Sequence, residues 1–437
     1  MRNNYSKKLK KNLFRIIDDM SKKTASFVKN PDVDFIRKRK LDFKTFIHLS
    51  ISMDGGPIRR ELLKYYKFDP NVVTPSAYVQ QRSKILPEAF NYLFHEFTKS
   101  VSTDKTLRGY RLLVCDGSNI SLPPNPDDPD NYIKKPNERA YGRCHLNTIY
   151  DIENRVYVDV LIQNCRQANE NRALVDLINR SEINNKVILL ADRGYESYNV
   201  LAHLKEKSWN YVIRIKDTTS SGGIASGFDL PEGAFDIDFH REIIRSQRVS
   251  YTQNPEKYKV IYSNTVFDYL QNKTDTYPIS FRIVRFPISD DKYETIVTNL
   301  DRKEFPLEEI KELYTKRWGV ETSFRELKYN VGLSNFRSKK ASCILQEIYS
   351  RLIVFNFCES IVANTIVKKR KNTIHTYQCN IANAIDVCKY FLGCKNGKMP
   401  SIEELILSSL NPVRPGRSNP RTIRSRPNIC FNYRISQ

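Results

Sequence analysis

The chain has 437 residues, 40% of them hydrophobic, and 71 Lys and Arg against 49 Asp and Glu give a formal net charge of +22. That length supports two to four domains with real cores, and a basic surplus spread along the chain points to a polyanionic partner such as DNA or RNA. Nine cysteines without a C-x2-C pair and six histidines never spaced i, i+4 exclude a disulfide framework, a zinc ribbon and H-E-x-x-H chemistry, and fit a reducing cytosol.

The first residues carry the charge of a signal peptide but not the apolar core that should follow, so none is expected. Residues 1–104 read as basic and helical: an amphipathic stretch from Lys7 to Lys23, then another from Asp42 to Tyr66 broken at Asp54-Gly55-Gly56-Pro57. Thr74-Pro75 is a helix start, a hydroxyl cap followed by proline at the first helical position. The helix it opens carries Gln80, Gln81, Arg82 and Lys84 on its polar face. Short helices and tight turns suggest a helix-turn-helix-like DNA-binding domain, with Gln and Arg as readers of base edges. A solvated face on a structural bundle is the competing reading.

From 105 the pattern changes to strands and helices: a strand Arg111–Cys115, a hairpin of Asn147–Tyr150 and Val156–Gln163, a helix 169–180, a strand Lys186–Ala191, a helix Tyr198–Lys207 and a strand Tyr211–Ile215. This order is that of a ribonuclease-H-like core, an α/β mixed sheet flanked by helices on both faces. Residues 105–216 form its first part. Residues 217–293, opening on a Ser/Gly-rich segment, hold short strand-like runs (248–251, 258–262, 279–284) and read as an inserted β subdomain. Residues 294–341 resume the core. The C-terminal region, 342–437, is helical to about 410 and then basic, with six arginines and no acid from Arg414 to Arg434; an arm on DNA and a disordered tail are equally open. The most apolar stretch, 344–367, is interrupted by Gln346, Glu347, Arg351, Asn356 and Glu359, so it is a buried helix and not a membrane span.

Three acids carry the chemistry. Asp116 and Asp192 each end an apolar run and precede a glycine, in Leu112-Leu113-Val114-Cys115-Asp116-Gly117-Ser118 and Leu189-Leu190-Ala191-Asp192-Arg193-Gly194-Tyr195. Tyr314, Arg317, Glu321 and Lys328 follow as Y-x2-R-x3-E-x6-K, spacings that put all four on one stripe of a helix. A carboxylate there ligates a hard cation, and flanking cations hold phosphates. Taken singly, each acid is ordinary: D-G-S is a common turn, and Glu321 could simply pair with Arg317 or Arg325. Their co-occurrence reads as a three-carboxylate metal site for phosphoryl transfer on nucleic acid. Asp127, Asp128 and Asp130 lie in a proline-rich loop without the pattern of a calcium hand and are left out.

With these motifs the chain resembles the DDE transposases of the bacterial insertion-sequence-four family, whose hallmark is the Y-R-E-K helix. The resemblance spans roughly residues 105–340 and includes the W-x2-E-x3-R-x-L-K run. It implies metal-dependent cleavage of DNA at the ends of an insertion sequence, then attack of the freed 3′-hydroxyl on target DNA. Catalysis and metal binding fall to Asp116 as bridging ligand, Asp192 on one ion and Glu321 on the other. Two Mg2+ ions, replaceable by Mn2+, are expected. Tyr314, Arg317 and Lys328 are expected to grip phosphates near the cleaved end. Some family members hold a flipped base on a tryptophan of the insertion; here Trp209 and Trp318 both lie outside it, which leaves Tyr293 as the candidate to stack a base. The resemblance also implies a homodimer on paired DNA ends, no membrane, and a place in the bacterial cytoplasm on the nucleoid. A nuclease of the same core without strand transfer, or a relic that only binds DNA, are the alternatives.

Overall fold

The computed structural model describes residues 5–101, 103–217, 222–289, 292–367, 375–394 and 401–413. Helices α1 (Tyr5–Lys22), α2 (Phe43–Ser52), α3 (Ile58–Tyr65), α4 (Pro75–Arg82) and α5 (Pro87–Ser100) build the N-terminal region. In α1 the buried Leu9, Leu13, Ile17 and Met20 form one stripe at helical spacing. Asp42 caps α2 by accepting from Thr45 N at 2.7 Å, and Thr74 caps α4 by accepting from Ala77 N at 3.1 Å, the start that Thr74-Pro75 predicts.

A ten-stranded sheet follows. Its first strands are β1 (Arg111–Leu122), β2 (Tyr132–Ile133), β3 (Tyr141–Asp151) and β4 (Val156–Asn164); β5 (Val187–Ala191) and β6 (Asn210–Ile215) come after α6 (Glu170–Arg180) and alternate with α7 (Tyr198–Glu206). β4, β3, β1, β5 and β6 lie side by side in that order. The first three are antiparallel, whereas β5 and β6 run parallel to β1. That topology is the expected ribonuclease-H-like one. Alternate residues of β1 enter different cores: Leu112 and Val114 pack on one face of the sheet, Leu113 and Cys115 on the other. The second face is covered by α6 and α7.

The inserted segment contributes β7 (Phe235–Ile244), a short helix α8 (Val249–Thr252), β8 (Tyr258–Val260) and β9 (Thr276–Ser289), and the chain re-enters the core as β10 (Lys292–Thr298). The insertion is β-rich, as expected, yet it does not stand apart. β10 pairs with β6 on one side and with β9 on the other, so the insertion's strands extend the core sheet through β9, β7 and β8. Residues 248–251, read as strand, mostly form α8, while β7 is a strand the sequence reading omits. Its alternation of Phe235, Ile237 and Phe239 with Asp236, Asp238 and His240 is a period-two signal.

Next come α9 (Leu307–Thr315), α10 (Trp318–Arg325) and a wide π-turn (Glu326–Asn330), then α11 (Ala341–Asn364). The end holds β11 (Thr376–Cys379), α12 (Ile381–Gly393), α13 (Ile402–Leu407) and β12 (Leu410–Val413), which pairs antiparallel with β11. α11 is buried nearly all round, and one continuous core joins it to α1–α5, α9, α10 and the remaining face of the sheet. The N-terminal helices are therefore built onto the catalytic core. No helix among the described residues is long and apolar enough to cross a membrane. The basic stretch from Arg414 to Arg434 lies outside the described residues.

That packing corrects the reading of α4. Gln81 and Arg82 are buried, and Arg82 faces α11, where it donates to Glu347 at 2.8 Å, to the Cys343 carbonyl at 2.6 Å and to Gln346 at 3.2 Å. A guanidinium held on three sides inside the protein cannot reach a base edge. Gln80 is exposed and bonded to Ser76, and Lys84 pairs loosely with Asp34 at 3.5 Å.

Candidate active site

The register of the central parallel pair fixes the first two acids. Leu113 lies opposite Leu189 and Val114 opposite Leu190, so Asp116 and Asp192 both follow two residues beyond the last paired position of the parallel ladder, Asp192 just past the end of β5 and Asp116 within β1. Adjacent strands are about 4.8 Å apart. The expected glycine turn after Asp116 is absent: β1 continues to Leu122, with Gly117 paired to Asn147 of β3. Asp116 Oδ1 accepts from Gly117 N at 2.8 Å. Asp192 does end its strand, and its Oδ1 accepts from Gly194 N at 2.8 Å to open a single 3-10 turn.

Asp116 is the electrostatically exceptional group. Burial, with further contributions from Asp192 and Glu321, pushes its carboxyl up to about 6, against the downward pull of the Gly117 N–H and Arg317. Two acids within electrostatic reach of a third half-desolvated one form a site short of positive charge.

Glu321 comes from α10, but the signature segment is not one helix. Arg317 N bonds to the Tyr314 carbonyl and Val320 N to the Arg317 carbonyl, i to i−3 steps that separate α9 from α10. Beyond Arg325 the helix widens, with Val331 N bonded to the Glu326 carbonyl five residues back. The four residues therefore do not share one straight stripe. The widened turn is anchored from beneath, where Glu326 shares a hydrogen bond with the buried Glu359 and Glu359 pairs with Arg155 at 2.6 Å.

The cationic partners are not all free to meet DNA. Lys328 reaches back to β1, donating to Ser118 Oγ at 2.6 Å and the Asn119 carbonyl at 2.9 Å, and its burial lowers its pKa. Arg317 is buried, donates to Glu321 Oε1 at 3.0 Å and lies 4.7 Å from the Trp318 ring centre. Its Nε has no hydrogen-bond partner among the described residues, an orphan donor suited to an anionic oxygen. Tyr314 is buried, and desolvation pushes its phenol up to about 12. Trp318, by contrast, is 54% exposed.

Tyr293 stands in β10 with the Arg285 guanidinium 3.8 Å from its ring centre, so one ring face is already covered. Sequence reasoning overlooked Glu294 beside it. Burial raises this carboxyl, and it pairs with Arg214 at 3.2 Å. No spacing in the sequence marks Glu294; only the pairing of β10 with β6 brings it to Arg214.

Among the described residues no three Asp, Glu, His or Cys side chains converge closely enough to cage an ion. Glu321 is engaged by Arg317, while Asp116 and Asp192 stand on neighbouring strands. The donor set nonetheless fits a hard divalent cation. Its ligand atoms are carboxylate oxygens, and a cation would relieve the cost of ionising Asp116.

Transposase InsG for insertion sequence element IS4 of Escherichia coli (strain K12) is 26% identical over 140 residues, covering 29% of this chain and 30% of that protein. The chain thus spans less than a third of that relative's length. A piggyBac transposase, solved by cryo-EM as a synaptic complex with hairpin DNA, aligns over 95% of this chain and 87% of its own at 10% identity and a TM-score of 0.47, too loose a likeness to add to the strand order. The description "Transposase DDE domain" matches residues 107–357. Because that span runs from just before β1 into α11 and encloses both aspartates and the whole signature segment, the chain belongs to the transposase DDE domain family.

Proposed function

We propose that the protein is a transposase that cuts DNA at the ends of an insertion sequence and joins the freed 3′-hydroxyl to target DNA. The observation that carries this reading is that Asp116 and Asp192 lie on neighbouring parallel strands, each two residues past the last paired position, with Glu321 in electrostatic reach of Asp116. The family works with divalent metal. Asp116, Asp192 and Glu321 would hold the metal, with Mg2+ as the expected ion and Mn2+ as its substitute. Such ions, when bound, activate the attacking oxygen and relieve charge on the leaving one.

The chain's own residues do the rest. Arg317, bonded to Glu321, would release that carboxylate for metal binding, and its orphan Nε would take a phosphate oxygen. Lys328 fixes the π-turn against β1 and holds its charge beside Asp116. Tyr314, buried with a raised pKa, is poorly suited to be a nucleophile, and the metal-dependent reaction needs no covalent protein–DNA intermediate. Tyr293 offers its free face to a base, and Gln80 and Lys84 remain available to DNA. A homodimer pairs the two ends, on DNA of the nucleoid.

The test incubates purified protein and Mg2+, or Mn2+, with DNA carrying the gene's own flanks, comparing wild type with Glu321→Gln by end mapping. Cuts at the ends and joined products, lost in the variant while DNA binding stays, are expected. Full activity in Glu321→Gln would remove that residue from the site. Cuts without joined products would make the protein a nuclease, and binding without cuts a regulator.

A further inference from the structure

The signature segment rests on the tip of one hairpin, the turn between β3 and β4. Lys316, Gly319, Ser323 and Glu326 follow one another at steps of three, four and three residues, the spacing of a helical face. Lys316 Nζ donates to Glu153 Oε1 at 2.9 Å, and a Cβ at Gly319 would touch the Ile152 side chain at 3.8 Å. The Ser323 hydroxyl meets the Tyr157 hydroxyl at 2.8 Å inside the core. Glu326 meets Glu359 of α11 carboxyl to carboxyl, and Arg155 Nε lies 2.6 Å from Glu359 Oε2. The tip itself is fixed, because Asp151 pairs with Arg111 at 2.7 Å and accepts from Asn154 N at 3.0 Å. Arg155 holds a φ of 57°, a left-handed conformation that suits glycine or asparagine. An arginine kept at such a position is kept for its side chain.

The charges under the π-turn do not balance. Glu359 is fully buried and Glu326 nearly so, yet the two carboxyls share one guanidinium. Desolvation raises Glu359 to about 7; Arg155 opposes the rise and Glu326 adds to it. Other titratable groups around the pair are neutral at that pH: Tyr150, Tyr157 and Cys379 are raised by burial, and Cys388 by its bond to Cys358. Arg325 attracts Glu326 alone. With one proton the pair is matched by Arg155. Without it two buried carboxylates repel, which drives Glu326 and the π-turn away from α11 and draws Lys328 off β1.

We propose that the hairpin tip and Glu359 form a saddle for the signature segment, with Arg155 and Glu359 as positioning residues that seat Glu321 and Lys328 while the buried carboxyl pair keeps one proton. The inference rests on the reading above, in which Glu321 and Lys328 serve the reaction.

The experiment follows the seat by fluorescence and its consequence by cleavage. Trp318 is exposed between the contacts at Lys316 and Gly319, and Trp209→Phe leaves it as the single tryptophan. In that background, Trp318 emission of the metal-free full chain is titrated from pH 5.5 to 9, and DNA cleavage is compared at pH 6 and pH 8. The parent should show a transition near pH 7, and Glu359→Gln, permanently neutral, should lack it. Arg155→Gln should move the midpoint upward and Arg155→Lys restore it. One pH unit above its pKa a group keeps its proton in about a tenth of molecules. The turnover of Glu359→Gln relative to the parent should therefore rise about tenfold from pH 6 to pH 8, with DNA affinity equal in both. No transition near pH 7 in the parent, one that survives Glu359→Gln, or a constant turnover ratio overturns the proposal. Absence of cleavage in every protein overturns the transposase reading instead, and the emission titrations then decide the saddle by themselves. Should Glu359→Gln fail to fold, Glu326→Gln removes the same shared proton and carries the same expectations for emission.

Discussion

At Asp116 the demands of function and stability oppose each other. Its folded carboxyl titrates near 6 against an ordinary 3.8, so the native state binds this proton more tightly than the unfolded chain does. Ionisation therefore costs native stability above pH 6, and the cost disappears as the pH falls from 6 towards 4. Asparagine carries no such cost. Metal-free Asp116→Asn should melt higher than wild type at pH 8, with the gain shrinking at pH 5; thermal melts at both values check this, and an equal or lower melting point at pH 8 would contradict it. The same residue explains why this part of the site was legible in sequence. Each acid follows a run of buried aliphatics that reads as a core strand, and two such runs in parallel register bring their acids together.

The elements show why some polar residues misled. Arg82 looks like a surface reader because its helix is short and polar, yet its partners Cys343, Gln346 and Glu347 come from α11, far along the chain. No local periodicity announces such a pairing. Removing one member of a buried pair strands the other, at about 3–5 kcal/mol. Arg82→Met should therefore lower unfolding free energy by about that amount in denaturant titration, leaving the DNA affinity of the folded protein unchanged. Undiminished stability with altered sequence preference would restore the base-reading role. The signature segment teaches a related lesson. Its spacing suggests one regular helix, but the i to i−3 step at Arg317 and the π-turn at Glu326 go with tertiary anchors, Lys328 on β1 and Glu326 on Glu359. Regular spacing alone could not foresee them.

For the whole molecule the surplus of +22 makes DNA binding an ion-exchange reaction. Affinity for non-specific duplex should fall by about a thousandfold between 50 and 200 mM salt, as expected when about six phosphates are neutralised. A flat salt profile in anisotropy titrations would mean the charge is not directed at DNA. The architecture also bears on how the chain is made. β6 is synthesised well before its outer partner β10, because the whole insertion comes between them. At ordinary ribosomal speeds of about 5–20 residues per second, β6 waits for several seconds with one edge unpaired. An open, apolar edge strand invites pairing with another chain. On the ribosome, the interval between residues 215 and 292 is one in which the outer edge of β6 has no partner from its own chain and a chaperone could shield it.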